Sequence, residues 1–319
     1  MARTNYQYGV WSWGAPVLPQ GPFVGFGGAG GGNSTSGPIT QSHVYFVNSA
    51  APLAADAGNH GLTPLTPFKT LNFALTQTFN NNNDVIYVGP LHVETVVAAG
   101  GLTFPTATAA GVTVIMLGSG TNQATVNFTT LTTASVTIPA SGVTWIGPRF
   151  TNGIDALATG VSITGAYCSL QNVVWVDALA NATAIQVITT SAANYLNING
   201  YTYTLAGTIT GTEPTEAIRL VGGTGAVMRN LNIQGQFSTA CVNNITTAFT
   251  NLMMENSYLS NQDASPHLAW AFLTTSTGFA EHVTLGIASG ATYNTGSNKI
   301  SFDVTSSGVV PGAGSATLS

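Results

Sequence analysis

Charge is the scarcest thing in this chain: Asp, Glu, Lys and Arg make up 5% of its 319 residues, against about a quarter in an ordinary soluble domain. Six Lys plus Arg cannot build the basic patch that phosphate neutralisation requires, which excludes nucleic acid and an anionic membrane surface as partners. There are only two cysteines, Cys168 and Cys241, expected as reduced core residues without a disulfide. No run approaches the roughly 20 apolar residues of a membrane span. The opening MARTNYQYGVWSWG lacks the apolar centre of a secretory signal, so synthesis and retention in a cytoplasm are expected. Disorder is excluded too, because 44% of residues are hydrophobic and the net charge is only -5, enough apolar material for a core.

What fills the space is Gly, Thr, Asn, Ser and Ala, arranged in three parts. Residues 1–40 mix Tyr6, Tyr8, Trp11, Trp13 and Phe23 with prolines and end in GFGGAGGGNSTSGP, which no regular element tolerates. We read them as an extended docking arm. From 41 to 285 the pattern is solenoidal. HVYFVNSA at 43 reads as a strand, and Phe68, Leu71, Leu75 and Phe79 recur at helical spacing over 67–79, which predicts a short helix covering the open first coil. Eight short apolar segments then begin near 84, 111, 142, 168, 194, 227, 249 and 279, a spacing typical of solenoid repeats. A phase-shifted series at 183, 216 and 239 gives each coil at least two strands. An antiparallel sandwich would show turns every 8 to 12 residues instead. Asn172, Asn197, Asn230 and Asn251 fall in the same motif and are expected to form a ladder at a bend, since Asn tolerates left-handed backbone. Residues 286–319 lose the period and are expected to cap the far end or mediate self-association.

YFVNSA at 45, GNHGLTPLTPFKTLNFAL from 58 and DVIYVGPLHVETV at 84 resemble the opening of pectin-lyase-like right-handed β-helix proteins. The resemblance implies an all-β, right-handed parallel β-helix of about eight coils, with Phe68, Asp84, Ile86, Tyr87, Val88 and Glu94 in the opening motif. Gly89-Pro90-Leu91-His92 departs from the turn usual in enzymatic members. The superfamily spans lyases, hydrolases and phage structural proteins, so it implies a fold and not an activity.

The supply of chemistry is thin. A lyase needs a basic proton abstractor, and only Arg149, Arg219 and Arg229 fall on the coils. Glu255, Asp263, His267, Glu281 and His282 are the densest titratable group, at spacings that match no ligand motif. We therefore expect no enzyme, no catalytic residues, no metal and no cofactor. The expected role is a phage virion structural protein, made in the host cytoplasm. Specifically, it would be a capsid decoration or cement protein that docks on the major capsid protein or another virion protein through its aromatic arm and self-associates, as a homotrimer for example. The alternative is a tailspike or fibre-type protein binding or cleaving host-surface glycan, with Trp145, Trp175 and Tyr258 as sugar platforms and Asp155 and Asp177 as acids. That alternative requires those side chains to share an open face.

Overall fold

The computed structural model describes residues 42–287 except 206, 245, 264–267 and 274, together with the backbone pairing of strands at 4–5, 11–12 and 299–303. The body is a parallel β-solenoid. Its main sheet has fourteen strands, ten of which stack in chain order from Val44–Val47 at one end to Lys299–Asp303 at the other, with four more pairing beside them. All eight segments expected from the sequence supply successive rungs of this stack. Eight rungs bound seven turns, and each turn crosses a second, seven-stranded parallel sheet once. The segments at 183, 216 and 239 lie in that second sheet as Ile185–Thr189, Glu216–Arg219 and Ala240–Asn244.

Alternation decides which side of each strand is core. Thr113–Met116 and Thr125–Phe128 bury every second residue, the period-2 pattern of a sheet with one wet face. Stacking in register turns this into columns: Ile86, Val114, Trp145, Leu170, Ile198, Met228 and Met254 are all buried and lie one above another. A second inward column runs Val126, Phe150, Trp175, Tyr203, Ile233, Leu259. The outward columns mix Thr, Ser, Asn and Gln with Val85, Tyr87, Ile115, Ile146, Val227 and Met253, and hold charge at Arg229, Glu255 and Glu281.

Six successive rungs of the main sheet bend into two legs at a residue with left-handed backbone. Gly147, Asn172, Gly200, Asn230, Asn256 and His282 occupy this bend, with φ between 48° and 77°. A second left-handed column, with φ between 55° and 75°, runs Asn83, Gly111, Gly142, Tyr167, Tyr195, Gly225, Asn251 and stands two residues before the paired positions of seven successive rungs. The expected asparagine ladder is thus divided: Asn172 and Asn230 sit in the bend, Asn251 in the entry column, and Asn197 within a strand. Both columns need the same conformation, for which Asn is one of the few side chains suited.

A helix stands at the first coil as expected but is shorter than 67–79: Phe68 precedes it in a bridge to Val47, and Phe79 lies beyond it, exposed. This helix, α1, runs Leu71–Gln77 with Leu71, Ala74 and Leu75 buried. Glu94 accepts from the Leu71 N–H at 2.7 Å and the Asn72 N–H at 3.3 Å, satisfying donors that a helix start leaves orphaned. Ser49 N–H donates to His92 Nδ1 at 2.9 Å, so Nε2 carries the proton toward Glu94, 3.1 Å away. Asp84 is fully buried and accepts from His43 N–H, Phe79 N–H and Asn82 Nδ2, each at 2.7 Å. The burial that hides Tyr45, together with the Asp84 charge, pushes its phenol up to about 12. The edge of Val44–Val47 is covered by the loop that follows it: Phe46 N–H donates to Gly61 O, and Phe68 N–H to Phe46 O, both at 2.8 Å. Gly61 is obligatory there, with φ +79° and the Phe68 ring 2.0 Å from where a Cβ would stand.

Candidate functional site

The tryptophans expected to be sugar platforms are core residues. Trp145 and Trp175 are 0% and 2% exposed. Their rings pack on Phe104, Phe128 and Phe150 at centroid separations of 4.7–5.9 Å. Both occupy inward positions because alternation in their strands places them there. Asp177 follows Trp175 inward and is 8% exposed. Its carboxylate accepts from Trp175 Nε1 at 3.1 Å, Thr183 N–H at 3.2 Å and Thr183 Oγ1 at 3.0 Å. Burial raises its pKa, and hydrogen bonds from Thr183, Trp175 and Gln186 oppose that rise. Asp155 is exposed and ties down a loop, accepting from Thr212 N–H at 2.8 Å and Thr212 Oγ1 at 3.1 Å. The two acids therefore do not share an open face, and the arrangement expected from the sequence is corrected. Of the three expected aromatic platforms, Tyr258 alone is exposed, at 37%.

The aromatic arm residues Tyr6, Tyr8, Trp11, Trp13 and Phe23 lie outside the described residues, apart from a backbone pairing of Thr4–Asn5 with Trp11–Ser12. So does His267 of the titratable group. Glu255 is held by Arg229 at 2.5 Å and Glu281 lies 3.6 Å from His282. Among the described residues no group of three or more His, Cys, Asp or Glu is placed to hold a metal ion. The three coil arginines are all engaged: Arg149 with Gly120 O at 2.9 Å, Arg219 with Glu216, and Arg229 with Glu255. Cys168 and Cys241 are free and buried. Burial pushes the Cys168 thiol up to about 11 and Cys241 higher still.

What the structure brings to the surface instead is a pair of tyrosines. Tyr167 and Tyr195 are 63% and 51% exposed. Their rings stack face to face, with centroids 4.8 Å apart and an interplanar angle of 10°. They stand on neighbouring rungs of the entry column, where Tyr167 N–H donates to Asn194 O and Tyr195 N–H to Thr224 O, both at 2.8 Å. Every other residue of that column is Gly or Asn. A bulky residue there has φ of 57–58°, a conformation that costs roughly 1–2 kcal/mol per residue and that is concentrated at functional sites. Beside the pair, the outward positions of the same rungs form an amide and hydroxyl network. Gln171 Nε2 and Asn197 Nδ2 both donate to Ser169 Oγ at 3.1 Å, and Asn230 Nδ2 donates to Asn199 Oδ1 at 2.7 Å. One rung further comes the Arg229–Glu255 ion pair. A rigid, wet aromatic platform bordered by groups that both donate and accept suits a ligand with apolar ring faces and many hydroxyls.

No family model matches this chain, and no curated protein does. Among solved structures it is similar to pectate lyase Pel9A, with a TM-score of 0.51 and 11% identity over 83% of this chain and 78% of that one. A pectin methylesterase from carrot aligns with a TM-score of 0.39 and 11% identity over 90% of this chain and 88% of that one. The first likeness establishes the fold: an all-β, right-handed parallel β-helix of the pectate-lyase kind. It also overturns the expectation of a non-enzymatic protein, since that neighbour on the same scaffold is an enzyme. At this identity the match carries the fold alone. Nothing among the matches speaks to a virion, capsid or phage role.

Proposed function

We propose that this β-helix binds a glycan on the open face of its main sheet, with Tyr167 and Tyr195 as the stacking platform. The observation that carries the reading is the exposed, parallel tyrosine stack in left-handed backbone positions that the fold otherwise fills with Gly or Asn. A pair with so much ring surface in water contributes little burial to folding, while a tyrosine offers a large, rigid contact at small entropic cost to a ligand. The neighbouring Ser169, Gln171, Asn197 and Asn199 supply uncharged groups that both donate and accept, as sugar hydroxyls do. The sugar platform of the sequence-based alternative thus moves from the buried tryptophans to residues the sequence reading passed over.

The test is titration calorimetry and affinity electrophoresis of the full chain against a panel of plant, fungal and bacterial-surface polysaccharides, comparing the native protein with Tyr167→Ala and Tyr195→Ala. Chromatography of each polysaccharide after incubation reads cleavage in the same experiment. Saturable binding that falls on either substitution supports the reading. Binding to no member of the panel, or binding indifferent to both substitutions, refutes it.

A further inference from the structure

The two faces of the tyrosine stack are not equivalent. Tyr195 lies over Gly225, where a Cβ would meet the ring at 2.6 Å, so the backbone of the next rung already covers that side. On the other side, the space above Gly142 holds no atom of Tyr167 within 4 Å; a Cβ there would meet only Gly111, at 3.5 Å. The outward ring face of Tyr167 is therefore the open one. Beyond it along the solenoid axis the entry positions are Gly142 and Gly111, so a trough floored by bare backbone runs from Tyr167 toward Asn83; over Gly111 the Asn81 Cα and the Asn83 Oδ1 stand 3.6 Å from where a Cβ would be and close that end. Three rung intervals at the usual strand spacing make this trough roughly 14 Å long, enough for a short oligosaccharide.

Its walls are specific in what they carry. The first residues of the strands beside it are Thr113 and Thr144, both half-buried at outward positions. Further out on the same rungs stand Ile115 and Ile146. None of these side chains is charged, and the Arg229–Glu255 pair lies beyond the tyrosines in the opposite direction.

We propose that the trough from Tyr167 to Asn83 is an extended subsite for a neutral, unbranched glycan lying parallel to the solenoid axis, its terminal ring stacked on Tyr167. This rests on the glycan-binding reading above. A chain of pyranoses with equatorial substituents presents apolar faces to the tyrosine ring and the glycine floor, and its hydroxyls reach the threonine wall. A polyuronate of the same length would bring one carboxylate per sugar into a trough with no cation to meet them, and desolvating unpaired charge is unfavourable. The ligand class therefore differs from the one named by the pectate lyase neighbour.

Gly142→Asn tests the trough with little risk to folding. Asn already stands at two other positions of the same column, Asn83 and Asn251, and the added Cβ makes only ordinary contacts. The probes are hexamers of β-1,4-linked glucose and mannose, with hexagalacturonate as the acidic comparison. The expected result is that a neutral hexamer binds the native chain, that Gly142→Asn weakens it about tenfold or more, and that the melting temperature and the affinity of an Asn251→Gly control are unchanged. If Tyr167→Asn abolishes binding while Gly142→Asn binds as the native chain does, the trough is wrong and the tyrosine platform stands. Hexagalacturonate binding as tightly as either neutral hexamer overturns the ligand class. Failure of every glycan in the wider panel overturns both readings together.

Discussion

Replacing Tyr167 and Tyr195 together by asparagine puts into the entry column the residue it already holds at Asn83 and Asn251. Each left-handed tyrosine costs roughly 1–2 kcal/mol, and Asn is among the residues that bear this conformation most easily. About 1 kcal/mol should therefore be recovered at each position. Against this stands the ring-to-ring contact, about 0.5–1.5 kcal/mol for a stacked pair. Little burial is lost, since the rings are 63% and 51% exposed. The double variant should thus be as stable as the native chain or more so by about 1 kcal/mol, which in a body of this size is a rise of roughly 2–4 °C in Tm. Glycan affinity should move the other way. By the scale of aromatic stacking measured for planar ligands, losing one platform costs about 1–3 kcal/mol, or roughly 5- to 150-fold in Kd. Thermal and urea unfolding read the first quantity and calorimetric titration the second. A double variant destabilised by more than about 2 kcal/mol would show that the tyrosines hold the coil together, and the reasoning that assigns them to a ligand would fail.

Trp175→Ala should behave oppositely, losing about 3–5 kcal/mol from lost burial and the cavity together and removing a donor from Asp177; a drop in Tm smaller than that of the tyrosine variants would contradict its core placement. Glu94→Ala should cost about 2–3 kcal/mol by orphaning the Leu71 and Asn72 N–H groups and the His92 ring, with Glu94→Gln less damaging; equal, negligible losses in urea unfolding would refute the capping role. Asp177 has its pKa raised by burial, so above the ordinary carboxylate value the folded chain holds a proton that the unfolded chain has released. Stability contributed by this residue therefore falls as pH rises from about 4 to the raised value. The difference in Tm between Asp177→Asn and the native chain should shift in favour of the variant across that window; a shift in favour of the native chain would mean that the hydrogen bonds from Thr183 and Trp175 outweigh burial.

Much of the architecture was legible because a solenoid writes its period into the chain. The eight apolar segments follow one another as rungs for the same reason that their apolar residues alternate: each rung must bury one face against the next turn. Asp84 and Glu94 were recognisable from the opening motif, and their geometry supplies the cause, since one braces the end of α1 and the other its start. Asn172, Asn230 and Asn251 announced left-handed positions, whereas Asn197 joined neither column. They could not say which of two columns each would join, because both columns ask for the same φ.

The candidate site was not legible in this way. Trp145 and Trp175 looked like platforms because aromatic residues near acids suggest sugar binding, yet a strand of period 2 sends a residue inward or outward according to register alone, and register is fixed by the neighbouring coils. Tyr167 and Tyr195 carry no local mark: GAYCSL and ANYLNI read as ordinary turns into strands. One signal was available, since both tyrosines stand two residues before a rung where GVTV, GVTW and GAVM begin with glycine. Composition and period by themselves determined a neutral parallel solenoid with a capped first coil, because burial and strand pairing are repeated locally. Only the stacking of rungs decided that two residues 28 positions apart meet ring to ring at 4.8 Å, because that contact exists in the register between coils and in no single stretch of chain.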